Sequence, residues 1–155
     1  MIIREFQKND KKKVTDIFTL YWTDPEFLKE LSDELESYLK MPDGDIRFFV
    51  ATENDDILGV AGFKKPADYL KQYTSTNKPV ELYVIASKYK RRGIGQALKL
   101  KLIEEARKFG FTEILLFSPN SHNESWGFHD QLGFERVGEV TPPEDDPGQV
   151  WRKVL

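Results

Sequence analysis

The chain has no cysteine, only two histidines and two methionines among its 155 residues, and no long apolar run. Each shortage excludes something. Without cysteine there is neither a disulfide framework nor a thiolate metal site, a usage that fits a reducing compartment. His122 and His129 are too few for an all-histidine metal centre, and no metal is expected. No stretch approaches the roughly 20 apolar residues of a membrane span. The opening MIIREFQKNDKKK holds no apolar segment of signal-peptide length. Positive charge is not in excess either: the formal net charge is -3, which argues against nucleic acid as a general partner. The expectation is a soluble cytoplasmic protein of one domain, residues 1–155, long enough to bury a core without staples.

Apolar spacing predicts the elements. Residues 2–6 suit a strand. Asn9 and Asp10 can open a helix over 11–22, with Val14, Ile17, Phe18 and Tyr21 at helical spacing. Asp24-Pro25 starts a second helix, since proline suits the first turn, and MPDGD at 41–45 ends it. RFFVATE and ILGVAGF flank the polar turn Asn54-Asp55-Asp56 and read as a hairpin. Residues 65–78 are polar and irregular. ELYVIA is a strand, and TEILLFS is apolar enough to be buried on both faces. A short helix over 123–132 and two closing strands follow. The order β-α-α-β-β-β-α-β-α-β-β implies an α/β (α+β) domain with a mixed, mostly antiparallel sheet of six or seven strands and about four helices.

One stretch concentrates chemistry. KYKRRGIGQALKLKLIEEA, residues 88–106, gathers Lys88, Lys90, Arg91 and Arg92 before Gly93-Ile94-Gly95 and a helix. On that helix Leu98, Leu102, Ile103, Ala106 and Phe109 share a face, so one side is expected to bury and the other to stay wet. The first turn of a helix carries N–H groups with no intrahelical acceptor, and its dipole favours an anion. Glycine lets the backbone turn and lets a phosphate approach with no Cβ in the way. The reading is a pyrophosphate cradle; the plain alternative is a glycine turn with a solvated basic face. The third small residue of a dinucleotide fingerprint is missing, and there is no G-x-x-x-x-G-K-S/T loop.

Lys90-Arg91-Arg92-Gly93-Ile94-Gly95, between a strand and a long helix, resembles the coenzyme A motif of the GNAT superfamily of N-acetyltransferases, with Lys90 in place of the usual Gln or Arg. Ser125-Trp126-Gly127-Phe128-His129-Asp130-Gln131-Leu132-Gly133-Phe134 resembles the family's second signature, a short helix with an aromatic pair before L-G-F. The resemblance covers essentially the whole chain. It implies a three-layer α/β/α fold and acetyl-CoA as cosubstrate. It also implies backbone pairing of Val84 and Ile85 with the pantetheine arm. The amides of Arg91, Arg92, Gly93, Ile94, Gly95 and Gln96 would hold the pyrophosphate. Asn123 and Ser125 would make polar contacts to the coenzyme, or merely cap the helix.

The resemblance puts two residues forward for catalysis. Glu81 lies where the family often places a base; otherwise it is an edge-exposed or ion-paired glutamate. His129 stands where many relatives carry a tyrosine that protonates the departing thiolate, and imidazole could serve. The alternatives are that the proton comes from water and that His129 packs or contacts the cofactor. The expected reaction is direct acetyl transfer to a primary amine on a small molecule or peptide. Glu30, Asp33, Glu34, Glu36, Glu144, Asp145 and Asp146 could favour a cationic acceptor. A non-catalytic acyl-CoA sensor and an unrelated phosphate-binding domain are the competing classes. A homodimer is compatible with the sequence, which does not report oligomeric state.

Overall fold

The computed structural model describes residues 1–42 and 44–155. The stop expected at MPDGD includes Asp43, which lies outside the described residues. The strands are β1 (Ile2–Glu5), β2 (Arg47–Glu53), β3 (Asp56–Lys64), β4 (Pro79–Ser87), β5 (Glu113–Pro119), β6 (Glu135–Val140) and β7 (Gly148–Val154). The α-helices are α1 (Lys11–Phe18), α2 (Pro25–Lys40), α3 (Ile94–Lys108) and α4 (Trp126–His129), with 3-10 turns at Lys8–Asp10, Asp68–Tyr73 and Asn120–Ser125. The strand order is β1-β2-β3-β4-β5-β7-β6. All ladders described here are antiparallel except β4 with β5, so the sheet is mixed and mostly antiparallel, as expected. Among the described residues no helix is long and apolar enough to cross a membrane.

By contacts the chain forms two compact units, Met1–Lys64 with Val84–Leu102, and Lys65–Tyr83 with Ile103–Leu155. In the first, the hairpin closes through Asn54 (φ 51) and Asp55 (φ 66), with Glu53 opposite Asp56. The loop is therefore the two-residue kind that right-handed strand twist favours, and Asp56 belongs to β3. Val14, Ile17 and Phe18 of α1 and Leu31, Leu35 and Tyr38 of α2 are buried at helical spacing. Asp24 caps α2 by accepting the Glu26 amide at 3.1 Å. The helix expected over 11–22 ends at Phe18, and turn bonds from Leu20, Tyr21 and Trp22 carry the chain onward.

Asp10 ties down the entry to α1. Its carboxylate accepts Arg4 at 2.7 and 3.0 Å and the Gln7 amide at 2.8 Å. Burial pushes its pKa up, but the Arg4 guanidinium and the Gln7 amide outweigh burial and leave it below the usual carboxylate range.

In the second unit, Leu70, Leu115 and Val150 form a buried cluster with Tyr69, Tyr73, Phe117, Val137 and Val140 against it. Four of the first four residues of β5, Glu113 to Leu116, are buried, in line with its apolar sequence. The helix expected over 123–132 is shorter: a 3-10 turn leads into four residues of α4, and Leu132 (φ 62) and Gly133 (φ 84) turn the chain into β6.

Candidate functional site

The first unit carries the basic loop and the start of α3. Gly93 stands at φ 76, and a Cβ built there meets nothing within 4 Å. Its carbonyl accepts the Ala97 amide at 3.0 Å, so α3 begins here, and the amides of Ile94, Gly95 and Gln96 have no carbonyl four residues back inside the helix. Arg91 is also left-handed, at φ 61. Two left-handed residues, either side of Arg92, thus precede a helix N-terminus with its intrahelically unpartnered N–H groups, and there is open space over the glycine. That is the geometry an anion needs.

Close packing under the helix start depends on Gly59 of β3. A Cβ there would lie 2.8 Å from Ile94 Cγ2, 2.9 Å from Leu98 Cδ1 and 3.0 Å from the Ala86 carbonyl oxygen. Only a residue without a side chain lets α3 seat this close to the strand.

The four cations are not equivalent. Lys88 Nζ binds Asp56 at 3.0 Å, a bond that holds Asp56 below the usual carboxylate range and Lys88 above the usual lysine range. Arg92 stacks over the Tyr89 ring at 4.8 Å. Lys90 and Arg91 are exposed. Val84 is buried and Ile85 half-buried on the end of β4, and Tyr21 Oη donates to the next-strand-end carbonyl of Ser87 at 2.6 Å.

The second unit holds the proposed catalytic pair and the 3-10 turn. Glu81 is buried at 6% exposure, and its Oε1 accepts the Ala67 amide at 2.9 Å. This corrects the edge-exposed alternative. His129 is buried as well, with its ring 5.1 Å from that of Trp151 and its Nε2 3.3 Å from Ser125 Oγ. Ser125 gives its one proton to the His122 carbonyl at 2.8 Å. The contact with His129 therefore requires the proton to sit on Nε2. Ser125 makes no side-chain cap bond to α4, so capping is not its role; Asn123 is exposed and its carbonyl accepts the Trp126 amide.

Around His129 lies a group that sequence spacing does not reveal. Asp130 accepts Arg136 at 2.9 and 2.9 Å and Trp151 Nε1 at 2.8 Å. The hydrogen bonds from Arg136 and Trp151 hold Asp130 below the usual carboxylate range, and His129 adds to the effect. The Arg136 guanidinium lies 5.2 Å from the Trp126 ring and 5.5 Å from that of Trp151. Trp126 Nε1 donates to Ser118 Oγ at 3.2 Å.

The structure thus brings Arg91 to Gln96 together in the first unit, and Ser125 with His129 in the second. One expectation about α3 is corrected, and one buried residue was not foreseen. Phe109, assigned to the buried face, is 37% exposed because α3 ends at Lys108, while Lys99 is fully buried. Lys99 lies three and four residues before Leu102 and Ile103, on the apolar stripe itself, so spacing alone could have found it. Among the acidic candidates, Glu36 is bound to Lys11 at 2.7 Å.

The Acetyltransferase (GNAT) family model matches residues 12–134. Rat N-acetyltransferase 8B is 25% identical over 127 residues, 81% of this chain and 52% of that protein. The chain spans about half the length of the curated relatives it matches. A solved GNAT-family structure from Desulfovibrio desulfuricans superposes with a TM-score of 0.82 at 19% identity, over 99% of this chain and 98% of that one. An aminoglycoside 6'-N-acetyltransferase complexed with coenzyme A superposes with a TM-score of 0.73 at 21% identity, over 99% and 97%. With the motif residues, the element order and the family match in agreement, the chain belongs to the GNAT acetyltransferase family.

Proposed function

We propose that this chain is an N-acetyltransferase that moves an acetyl group from acetyl-CoA directly to a primary amine. The observation that carries the reading is the left-handed, sterically open Gly93 at the start of α3. A diphosphate fits such a place, because it offers backbone donors, the helix dipole and no Cβ. In this reading the amides of Arg91 to Gln96 take the diphosphate of acetyl-CoA, and the main chain of Val84 and Ile85 pairs with its pantetheine arm. Asn123, exposed, is a better coenzyme contact than Ser125, whose hydroxyl is engaged with His122 and His129.

The amine nitrogen attacks the thioester carbonyl, a C–N bond forms and the C–S bond breaks. Glu81 takes the proton that leaves the amine. His129, as the imidazolium, gives the departing thiolate a proton and returns to neutral imidazole. Holding amine and thioester together can supply about 7–11 kcal/mol of the barrier, so loss of either residue slows the reaction without ending it.

Glu26, Glu30, Asp33 and Glu34 line a shallow depression with Lys29, of about 340 Å³. Burial, together with Glu30 and Asp33, raises the pKa of Glu34, and Lys64 opposes this. Ion pairs from Lys29 and Lys64 offset part of the negative charge, so this face supports a cationic acceptor only in part.

The test is coenzyme A-induced thermal stabilisation together with thiol release from acetyl-CoA against spermidine, kanamycin and a peptide with N-terminal alanine. Turnover supports the enzyme. Stabilisation with no turnover for any amine favours a non-catalytic acyl-CoA binder, and no stabilisation at millimolar coenzyme A sinks both readings.

A further inference from the structure

Two buried carboxylates grip the same connection. Residues 65–78 link β3 to β4 and have no strand or α-helix. At one end the Ala67 amide donates to Glu81 Oε1 at 2.9 Å. At the other, the Ser75 and Thr76 amides donate to Glu113 Oε1 at 2.8 and 3.0 Å, and Ser75 Oγ donates to Oε2 at 2.8 Å. Glu81 is 6% exposed and Glu113 fully buried. Between the anchors, the 3-10 turn Asp68–Tyr73 sets the buried Leu70 against Leu115 and Val150. Arg152 donates to the Tyr73 carbonyl at 3.0 Å, and Tyr73 Oη donates to the Glu139 carbonyl at 2.7 Å. Burying two glutamates merely to fasten a loop is costly, because apolar contacts could hold it without desolvating charge.

We propose that this segment is a strap that positions the catalytic base: the Ala67 amide holds one oxygen of Glu81 and so fixes the rotation of its carboxylate toward the amine. The inference rests on the reading of Glu81 as base. Ala67 is a positioning residue acting through its main-chain N–H, and the Glu113 anchor keeps the far end of the strap from lifting that N–H away. A hydrogen bond to one carboxylate oxygen narrows the otherwise broad terminal torsion of the side chain and so fixes the plane of the group.

The backbone permits a clean removal of this donor. Ala67 has φ -62 and ψ 153, which proline adopts without strain, so Ala67→Pro deletes the N–H and little else. Ala67→Gly is the conservative variant that keeps it. Amide hydrogen exchange at Ala67 reads the contact without any substrate. Steady-state kinetics with acetyl-CoA and the amine that turns over fastest in the panel read its consequence. The expected results are a protected Ala67 amide that exchanges at least about tenfold faster in Glu81→Ala, and a kcat about tenfold lower in Ala67→Pro, the scale of one lost hydrogen bond to a charged group. KM for acetyl-CoA should stay within about twofold, and Ala67→Gly should rescue kcat. Unchanged kcat in Ala67→Pro, beside a Glu81→Gln variant that has lost it, overturns the positioning role. An unprotected Ala67 amide overturns the strap. If Ala67→Pro fails to fold, Ser75→Ala at the other anchor takes its place: lower kcat with faster exchange at Ala67 upholds the strap, and neither change overturns it. Full kcat in Glu81→Gln, or no turnover of any amine by the parent protein, refutes Glu81 as base and with it the positioning role, while exchange still judges the strap.

Discussion

Ser125 holds His129 from one turn back in the chain, Oγ to Nε2 at 3.3 Å, while its own proton goes to the His122 carbonyl at 2.8 Å. With the Ser125 proton engaged, the contact makes His129 Nε2 the donor to Oγ. Replacing His129 with Phe keeps an aromatic body against Trp151 and removes the proton. We expect kcat to fall about a hundredfold, the lower range for loss of a general acid, with coenzyme A affinity unchanged by calorimetry. His129→Tyr should recover part of that loss. Equal kcat in His129→Phe and the parent protein would leave water as the proton source.

Gly93 tests the cradle. Gly93→Val puts a β-branched side chain at φ 76, costing roughly 1–3 kcal/mol, and fills the open space above the turn. The melting temperature should drop modestly, and the stabilisation given by coenzyme A should vanish. A variant that is stabilised by coenzyme A as fully as the parent shows that the diphosphate lies elsewhere.

Gly59 tests how the cradle helix is seated. Gly59→Val drives a side chain into Ile94 and Leu98, which would lie within 3 Å of its Cβ. The expected cost is about 1–3 kcal/mol by urea denaturation, as for overpacked cores, with weaker coenzyme A binding because the start of α3 is displaced. Loss of stability with unchanged coenzyme A affinity would uncouple the seat from the cradle.

Acid should unfold the protein through a few identifiable carboxylates. Burial pushes Glu113 up, but its bonds from the Thr76 and Ser75 amides and the Ser75 hydroxyl outweigh burial, and its pKa lies below the usual range. Asp10 is lowered by Arg4 and Gln7 against its own burial. A carboxylate depressed in the folded state binds a proton more readily when unfolded. Its contribution is therefore complete above the unfolded value, near pH 4, and is lost as pH falls through the lower folded value. Urea midpoints measured from pH 7 to 3 should hold steady and then fall below about pH 4. Glu113→Gln should flatten that fall at the expense of stability at neutral pH. The same steep fall in Glu113→Gln and the parent would remove Glu113 from the account.

The elements were readable wherever neighbours along the chain decide the outcome. Asn54 and Asp55 between two β-rich runs marked the hairpin, and both take the positive φ such turns demand. Gly93 and Gly95 before an amphipathic run marked the start of α3. What stayed hidden depends on partners far apart in sequence. Glu81 finds Ala67 fourteen positions away, and Glu113 finds Ser75 thirty-eight away, so residues 65–78 looked merely polar. Asp130 and Arg136 are neighbours by sequence, but nothing local showed that Trp151 would join them. Lys99 is legible by position and obscured by type, since its spacing puts it on the apolar stripe while a lysine is ordinarily expected to be wet. Here Leu100 is the exposed one, at 48%.

Trp151 stands ring to ring with His129 at 5.1 Å, and Trp126 packs on Trp151 at 5.8 Å, so one of the three indoles in the chain lies against the imidazole and a second is one ring away from it. A charged imidazole drains the excited state of an adjacent indole. The molecule consequently carries a built-in optical gauge: its own ultraviolet emission should dim and brighten as His129 gains and gives up its proton, with no label attached.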